Sequence, residues 1–336
     1  MQLFEHFPLK DRHTFHIDAF ARYWADFDSV EALRSVLKDP RFATLPKLAV
    51  GGGSNLLFTG NYEGLLLHST IQDLEFIPDG ASMVRVRAGS GLCWDDLVEA
   101  TVRRGWCGLE NLSGIPGNVG ASPVQNVGAY GAEAKDCIVS VEAMDVHTLE
   151  MHTLSNADCR FGYRDSRFKK EWKDRFIICY VTFSLSKEFK PNIRYGELTR
   201  HLEEQGGVTL EGVRQVILNT RAAKLPDPEV LGNAGSFFMN PEIPNEQWER
   251  LRTRYPDMPH WLLENGRVKV SAAWCIDKAG WKGKRLGNAA VHDKQALVLV
   301  NVGGATAGEV TALCEQIVQE VEGMFGIRLK PEVLFI

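Results

Sequence analysis

Between Gly114 and Glu133 the chain reads GIPGNVGASPVQNVGAYGAE, with Gly114, Gly117, Gly120, Gly128 and Gly131 set among Pro, Asn, Ser and Ala. This is too glycine-rich for a helix interior and too long for a single turn. It predicts a compact loop whose backbone N–H groups approach a large ligand closely. The near absence of charge points to a ligand held by backbone dipoles and stacking surfaces rather than by salt bridges. An irregular surface loop is the plainer alternative. A second candidate, Gly51-Gly52-Gly53-Ser54-Asn55, follows the short apolar run Lys47 to Val50. Three consecutive glycines can form a nest of N–H groups aimed at one spot, and Ser54 and Asn55 add side-chain donors. A phosphate fits there, and a plain hairpin turn fits the same residues. Neither G-x-x-x-x-G-K-[ST] nor a helix-opening G-x-G-x-x-G inside a βαβ unit is present.

The 336 residues are 44% hydrophobic and 24% charged, which suits a mixed soluble chain of two or three packed units able to bury a large cofactor. A formal charge of -5 and a pI near 6.0 leave no basic footprint, so nucleic acid is not an expected partner. The seven cysteines, at 93, 107, 137, 159, 179, 275 and 314, include no C-x-x-C pair. That argues against a disulfide framework and a zinc cage, and predicts buried thiols of a reducing compartment with no metal site. The opening MQLFEHFPLKDRHTF lacks a basic region followed by an apolar one, and no apolar run approaches about 18 residues. A cytoplasmic protein without membrane insertion is expected.

The elements that must carry the two glycine-rich stretches follow from periodicity. After opening turn residues, Thr14 to Ala19 alternates and predicts the first strand; Asp28 to Glu31 resembles a capping box, with Val30, Leu33 and Leu37 on one helical face before Pro40. Strands are predicted at Lys47 to Val50, Gly64 to His68 and Met83 to Ala88, then a helix from Trp94 to Arg104 capped by Gly105. Beyond the long glycine-rich stretch, Ile138 to Val146, Glu150 to Thr153 and Phe176 to Leu185 read as strands. Helices around Leu198 to Glu204 and Glu211 to Lys224 precede Pro226-Asp227-Pro228, a stiff break that predicts a domain boundary. Helices near Glu246 to Arg254 and Ser271 to Ala279, a strand from Ala296 to Asn301, a helix from Ala307 to Met324 and a terminal strand from Leu329 to Ile336 complete the reading.

Five motifs in order, GGGSN after a strand, SGIPGNVGASPVQNVGAYGAE, FGYRDS, GNAGSFF and KPEV, resemble the UDP-N-acetylenolpyruvoylglucosamine reductases over essentially the whole chain. The resemblance is to the longer class, which carries a substrate-closing tyrosine loop. It implies an α+β chain with the vanillyl-alcohol-oxidase-like (PCMH-type) FAD-binding fold. Two FAD subdomains are expected at 1–72 and 73–225, a C-terminal α+β substrate-binding domain at 226–326, and a strand at 327–336 that returns to the active site. The implied activity is NADPH-driven reduction of an enolpyruvyl ether on a UDP-sugar, giving UDP-N-acetylmuramate for cell-wall precursors. No histidine stands in the GGGSN turn, so non-covalent FAD is expected, in a monomer.

Hydride transfer to a vinyl ether conjugated with a carboxylate leaves negative charge on that carboxylate and a carbon that must collect a proton. Arg164, in FGYRDS, suits the first task, since a guanidinium is permanently charged and binds carboxylates bidentately. Glu332 can share it if the site keeps it protonated as a hydrogen-bond donor. Ser236, in GNAGSFF, is the candidate proton donor, a very weak acid that serves only a strongly basic carbanion or enolate. The ordinary alternatives are a surface arginine, a solvated terminal carboxylate and a turn-capping serine. For FAD the resemblance points to Gly51, Gly52, Gly53, Ser54 and Asn55 at the pyrophosphate. Around the isoalloxazine and its linker it points to Ser113, Gly114, Ile115, Gly117, Gly120, Ala121, Gln125 and Gly128. For the UDP-sugar it points to Tyr195 in a closing loop, to Lys224, Asn240, Lys282 and Gln295 as polar contacts, and to Tyr163 beside Arg164. Where the longer class often carries tyrosine, this chain has Trp261, which can stack on uracil without a phenol hydroxyl or can pack as a core tryptophan.

Overall fold

The run Lys47–Val50 is a strand that pairs in parallel with Tyr62–Ser69, in the register Lys47 with Leu65 through Val50 with His68. Leu65, Leu66 and Leu67 are fully buried, so the partner strand is held by apolar contact on both faces. This computed structural model describes residues 1–193, 198–204 and 207–336. The chain forms two compact units. The first comprises Met1–Phe7, Ala21–Gly52 and Glu63–Ala223; the second comprises Pro8–Phe20, Gly53–Tyr62 and Lys224–Ile336.

The first unit holds a four-stranded sheet in the order Gln2–Pro8, Phe20–Phe27, Tyr62–Ser69, Lys47–Val50. It also holds a five-stranded antiparallel sheet in the order Met151–Ser155, Ile138–Asp145, Phe176–Ser186, Met83–Gly89, Leu74–Pro78. Alternation is clean in Met83–Gly89, where Val84, Val86 and Ala88 are buried while Arg85 and Arg87 make ion pairs on the other face. The helix Val30–Lys38 buries Leu33, Val36 and Leu37. The helix Trp94–Val102 buries Trp94, Leu97, Val98 and Val102, and Asp95 and Asp96 in its first turn complement its dipole. The helix Leu210–Lys224 buries Val213, Val216 and Ile217.

The second unit has a four-stranded antiparallel sheet ordered Gly232–Ser236, Val298–Asn301, Ala289–Val291, Arg285–Leu286 and a three-stranded one ordered Glu242–Pro244, Arg267–Val270, His260–Leu262. The helices Asn245–Arg254, Ala272–Lys278 and Ala307–Phe325 belong to the same unit. The last of these begins with a capping box between Thr306 and Glu309, ends at Gly326 in the left-handed region, and buries Val310, Leu313, Cys314, Ile317, Val318 and Val321. Phe15, Ile17 and Leu57, distant in sequence, join Phe237, Phe238, Leu299 and Val333 in one apolar core. At about 2–3 kcal/mol for each large side chain removed from water, this burial is what draws two N-terminal segments into a C-terminal unit.

Several sequence expectations change. Thr14 to Ala19 is not a strand, although Phe15, Ile17 and Ala19 are buried alternately. Its hydrogen bonds run to Asn233, whose N–H donates to the Thr14 carbonyl at 2.8 Å, and to Asn301, whose Nδ2 donates to the Phe15 carbonyl at 2.9 Å. No ladder forms, and the opening residues supply the first strand instead, Gln2–Pro8. The cap of the first α-helix is Ser29, which accepts from Ala32 N–H at 3.2 Å, and not Asp28. The helix from Trp94 ends at Val102, two residues before Arg104, with Gly105 at φ 70° beyond it. The strand expected from Ala296 starts at Val298, and only Leu334–Phe335 of the C-terminal stretch is a strand, parallel to Leu56–Leu57. All seven cysteines are free thiols; six are buried, and Cys93 is exposed, contrary to expectation. Burial pushes the Cys137, Cys159, Cys179, Cys275 and Cys314 thiols up to about 12. Among the described residues no helix is long and apolar enough to cross a membrane.

Candidate active site

In the first unit the two motifs SGIPGNVGASPVQNVGAYGAE and FGYRDS meet through Arg164. Gly162 and Asp165 close a tight turn by exchanging backbone hydrogen bonds of 2.8 and 3.3 Å, and Arg164 occupies its third position at φ 53°. Its Nη2 donates to the Gly128 carbonyl at 2.5 Å, and the guanidinium carbon lies 5.4 Å from the Tyr163 ring centre. A Cβ added at Gly128 would sit 2.7 Å from Arg164 Nη1, so the space that glycine leaves there is filled by the guanidinium. Gly128–Ala129 and Ala132–Glu133 form a short hairpin whose turn residues, Tyr130 and Gly131, both have positive φ. That is the two-residue turn whose twist matches a β-hairpin.

Asn126 is fully buried at the junction. Its Nδ2 donates to the Gly162 carbonyl at 2.9 Å and to Glu133 at 3.0 Å, and its Oδ1 accepts from Lys135 N–H at 3.0 Å. The hydroxyl of Ser166 donates to the Val124 carbonyl. Two motifs far apart in sequence are thereby locked to each other. Ser113 is buried, and its hydroxyl donates to the Glu110 carbonyl at 2.6 Å. Ile115, Gly117 and Gln125 are half-buried, Ala121 is exposed, and Gly120 packs against Ser90 too closely for a side chain.

The carboxylates beside these loops are engaged. Glu110 accepts from Gly108 N–H at 2.6 Å, and Glu133 pairs with Lys135 at 2.7 Å. Asp95 receives a bidentate Arg214 at 2.6 and 2.8 Å and the Gly114 N–H at 2.6 Å, while Arg221 Nε donates to the Gly114 carbonyl at 3.0 Å. Burial alone pushes the Asp95 carboxyl up, but Arg214, the Gly114 amide and the charge of Arg221 outweigh it and hold the group below the ordinary carboxylate range. A depressed folded-state pKa gives stability that is present above the unfolded value and lost as pH falls through the folded one. Asp95→Asn is therefore expected to cost about 2 kcal/mol near pH 7, since the pair is only partly buried. Urea unfolding as a function of pH checks this: the gap to the parent protein should hold above about pH 4 and close below it.

In the second unit, Ser236 is exposed at the end of the strand Gly232–Ser236. The pairing with Val298–Asn301 shifts register between Asn233 and Ser236, and Gly235 there has φ 66° with open space where a Cβ would be. This is a bulge, and it re-aims the following side chain. The peptide of Phe237 then ties three segments: its N–H donates to the Leu297 carbonyl at 2.7 Å, and its carbonyl accepts from Glu332 N–H at 2.8 Å. Gln295 is next to this junction, its Oε1 accepting from Leu297 N–H at 3.3 Å. Glu332 is half-buried, and its carbonyl accepts from Asn55 Nδ2 at 3.2 Å. Ser236, Gln295, Asn55 and Glu332 are thus brought onto one framework of backbone and side-chain hydrogen bonds. Gly53 opens the segment of this unit that contains Ser54 and Asn55, and a Cβ there would stand 2.4 Å from the Arg12 carbonyl oxygen.

The remaining substrate candidates are spread over this unit. Lys224 is exposed at the end of its helix. Asn240 Oδ1 accepts from Ala272 N–H at 3.0 Å, and Lys282 Nζ is 3.6 Å from Asp277. Trp261, 41% exposed on the edge strand His260–Leu262, is not a core tryptophan. Tyr195 lies outside the described residues. The reading of the sequence missed Asn118 and Asn126, although asparagines among glycines carry a signal: they tolerate left-handed backbone and offer both a donor and an acceptor. It also missed Asp95 with Arg214, 119 positions apart, a pair no local pattern announces.

Residues 227–336 match the family model described as UDP-N-acetylenolpyruvoylglucosamine reductase, C-terminal domain. A UDP-N-acetylenolpyruvoylglucosamine reductase of Bacteroides fragilis is 49% identical over 330 residues, covering 98% of this chain and 99% of the relative. The chain belongs to the UDP-N-acetylenolpyruvoylglucosamine reductase family. Another reductase of the family, from Pseudomonas aeruginosa, is 46% identical over 334 residues, covering 99% of this chain and 98% of its own. Residues 22–155 match an FAD binding domain, so this member of the reductase family is a flavoprotein and its cofactor is FAD. The crystal structure of UDP-N-acetylenolpyruvylglucosamine reductase from Thermus caldophilus superposes with a TM-score of 0.67 at 23% identity, covering 99% of this chain and 98% of that one. The chain therefore has the fold of that reductase, with an FAD-binding domain in its N-terminal half and the family's C-terminal domain after it.

Proposed function

We propose that the protein reduces the enolpyruvyl group of UDP-N-acetylenolpyruvoylglucosamine with NADPH, giving UDP-N-acetylmuramate for peptidoglycan precursors in the cytoplasm, and that it acts as a monomer. The observation that carries this reading is the 49% identity to a so-named reductase across 98% of the chain. Its candidate anion holder and proton donor are retained together, each on a locally determined framework.

FAD, held without a covalent bond, supplies the hydride relay between nicotinamide and substrate. The residues present suit it: uncharged glycine-rich backbone, with neighbouring carboxylates already paired. The turn Gly51, Gly52, Gly53, Ser54 and Asn55 would hold the pyrophosphate, Gly52 by the path of its backbone, since its N–H is given to Asn118. Ser113, Gly114, Ile115, Gly117, Gly120, Ala121, Gln125 and Gly128 would surround the flavin ring and its linker, Ser113 through its backbone. In support of FAD subdomains at 1–72 and 73–225, each region contributes its own sheet. Residues 226–326 form the substrate domain in this reading, and 327–336 bring Glu332 to the site.

Arg164 holds the substrate carboxylate as negative charge develops on it. Glu332, kept protonated, donates a second hydrogen bond to the same charge. Ser236 gives its hydroxyl proton to the carbon next to the carboxylate, a transfer a serine can make only to a base that strong. Tyr163 positions the substrate, Trp261 stacks on the uracil, and Lys224, Asn240, Lys282, Gln295 and Tyr195 bind the UDP-sugar. Anaerobic absorbance spectra test the whole scheme. Flavin bands should bleach with NADPH and return only when UDP-N-acetylenolpyruvoylglucosamine is added. A flavin that bleaches and ignores the sugar would retain the cofactor and reject the substrate.

A further inference from the structure

The carboxamide of Asn118 joins three loops of the first unit. Its Oδ1 accepts from Gly52 N–H at 2.5 Å, its Nδ2 donates to the Gly91 carbonyl at 2.8 Å, and its backbone belongs to the long glycine-rich stretch. The orientation is set by the network, because a reversed amide would place NH2 against an N–H and oxygen against a carbonyl. A Cβ at Gly51 would lie 2.8 Å from Asn118 Oδ1, and one at Gly52 would lie 3.4 Å from it, so the amide covers both glycines. Its own main chain is fixed as well: Val119 N–H donates to the Leu92 carbonyl at 2.9 Å, Ala121 N–H to the Asn118 carbonyl at 3.0 Å, and Asn118 bridges Cys93.

Gly51 and Gly52 leave the strand Lys47–Val50 at the start of the turn assigned above to the FAD pyrophosphate. The Gly52 N–H is already given to Asn118, so the amide does not serve the phosphates directly; its capture sets the direction of the peptides that follow. We propose that Asn118 is a positioning residue for FAD, presetting the pyrophosphate turn through Gly52. The inference rests on the FAD reading of that turn.

The test titrates apoprotein with FAD and, separately, with riboflavin, which has no phosphate, following flavin fluorescence. Asn118→Ser removes both bonds without adding charge. Asn118→Asp keeps the acceptor for Gly52 but sets an anion beside the diphosphate. The FAD Kd should rise about tenfold in Asn118→Ser and further in Asn118→Asp, with the Asp loss shrinking as salt is added, while riboflavin affinity stays within about twofold. The Ser apoprotein should still unfold cooperatively, with a thermal midpoint only modestly below the parent's for the two lost hydrogen bonds, and this variant alone decides the matter if Asn118→Asp does not fold. Equal weakening of FAD and riboflavin, or unchanged FAD affinity in Asn118→Ser, overturns the proposal. Parent apoprotein that binds neither flavin overturns the FAD reading itself, an outcome distinct from both.

Discussion

Ser236→Ala should leave NADPH-driven bleaching of the flavin within about twofold of the parent rate and slow its recovery with UDP-N-acetylenolpyruvoylglucosamine by about 10²–10⁴-fold. The asymmetry follows from the assigned role. Protonation of the substrate carbon belongs only to the second half-reaction, and alanine removes the proton without adding volume. The position suits such a split, because Ser236 is exposed at the end of its strand and follows the Gly235 bulge, so no core packing is lost. Stopped-flow absorbance measures both half-reactions on one sample. Equal slowing of the two would reject Ser236 as the proton donor and leave it a structural serine.

Replacing Arg164 by methionine should slow the same sugar-dependent step by about 10²–10³-fold, the usual loss when a donor to developing charge is removed. Arg164→Lys should recover only part of it. An ammonium restores charge but not the planar fork that binds a carboxylate bidentately, and it cannot reproduce the hydrogen bond that Nη2 makes to Gly128 while presenting the rest of the group. NADPH-dependent bleaching again serves as the control. If Arg164→Lys matches the parent protein, Arg164 acts as a point charge at most, and bidentate recognition is ruled out. If Arg164→Met bleaches slowly as well, the residue shapes the flavin loop through Gly128 instead of holding the substrate.

The motifs were legible because each depends on local chemistry. GGGSN follows a short strand, FGYRDS forms a tight turn and GNAGSFF contains a left-handed glycine, all set by residues within a few positions. The helix Ala307–Phe325 was equally plain, since a capping box and a 3.6-residue apolar stripe are written in consecutive residues. Thr14 to Ala19 shows the limit. Alternating burial was correctly readable there, but whether an extended segment joins a ladder depends on which backbone lies beside it, and here Asn233 and Asn301 take its carbonyls.

Family and cofactor were legible in the linear order of five motifs, because so many motifs at fixed spacing constrain what the chain can be. The contacts that several of those residues serve emerge only once the chain is folded. Gly128 makes room for Arg164, Gly120 for Ser90, and Gly51 for Asn118, reasons that depend on atoms dozens of positions away. Folding likewise brings Phe15 and Leu57 into the C-terminal unit, and Asp95 to Arg214. Periodicity records which face of a segment is apolar. It does not record which distant surface that face will meet, because burial is satisfied by any apolar partner and only the assembled chain selects one.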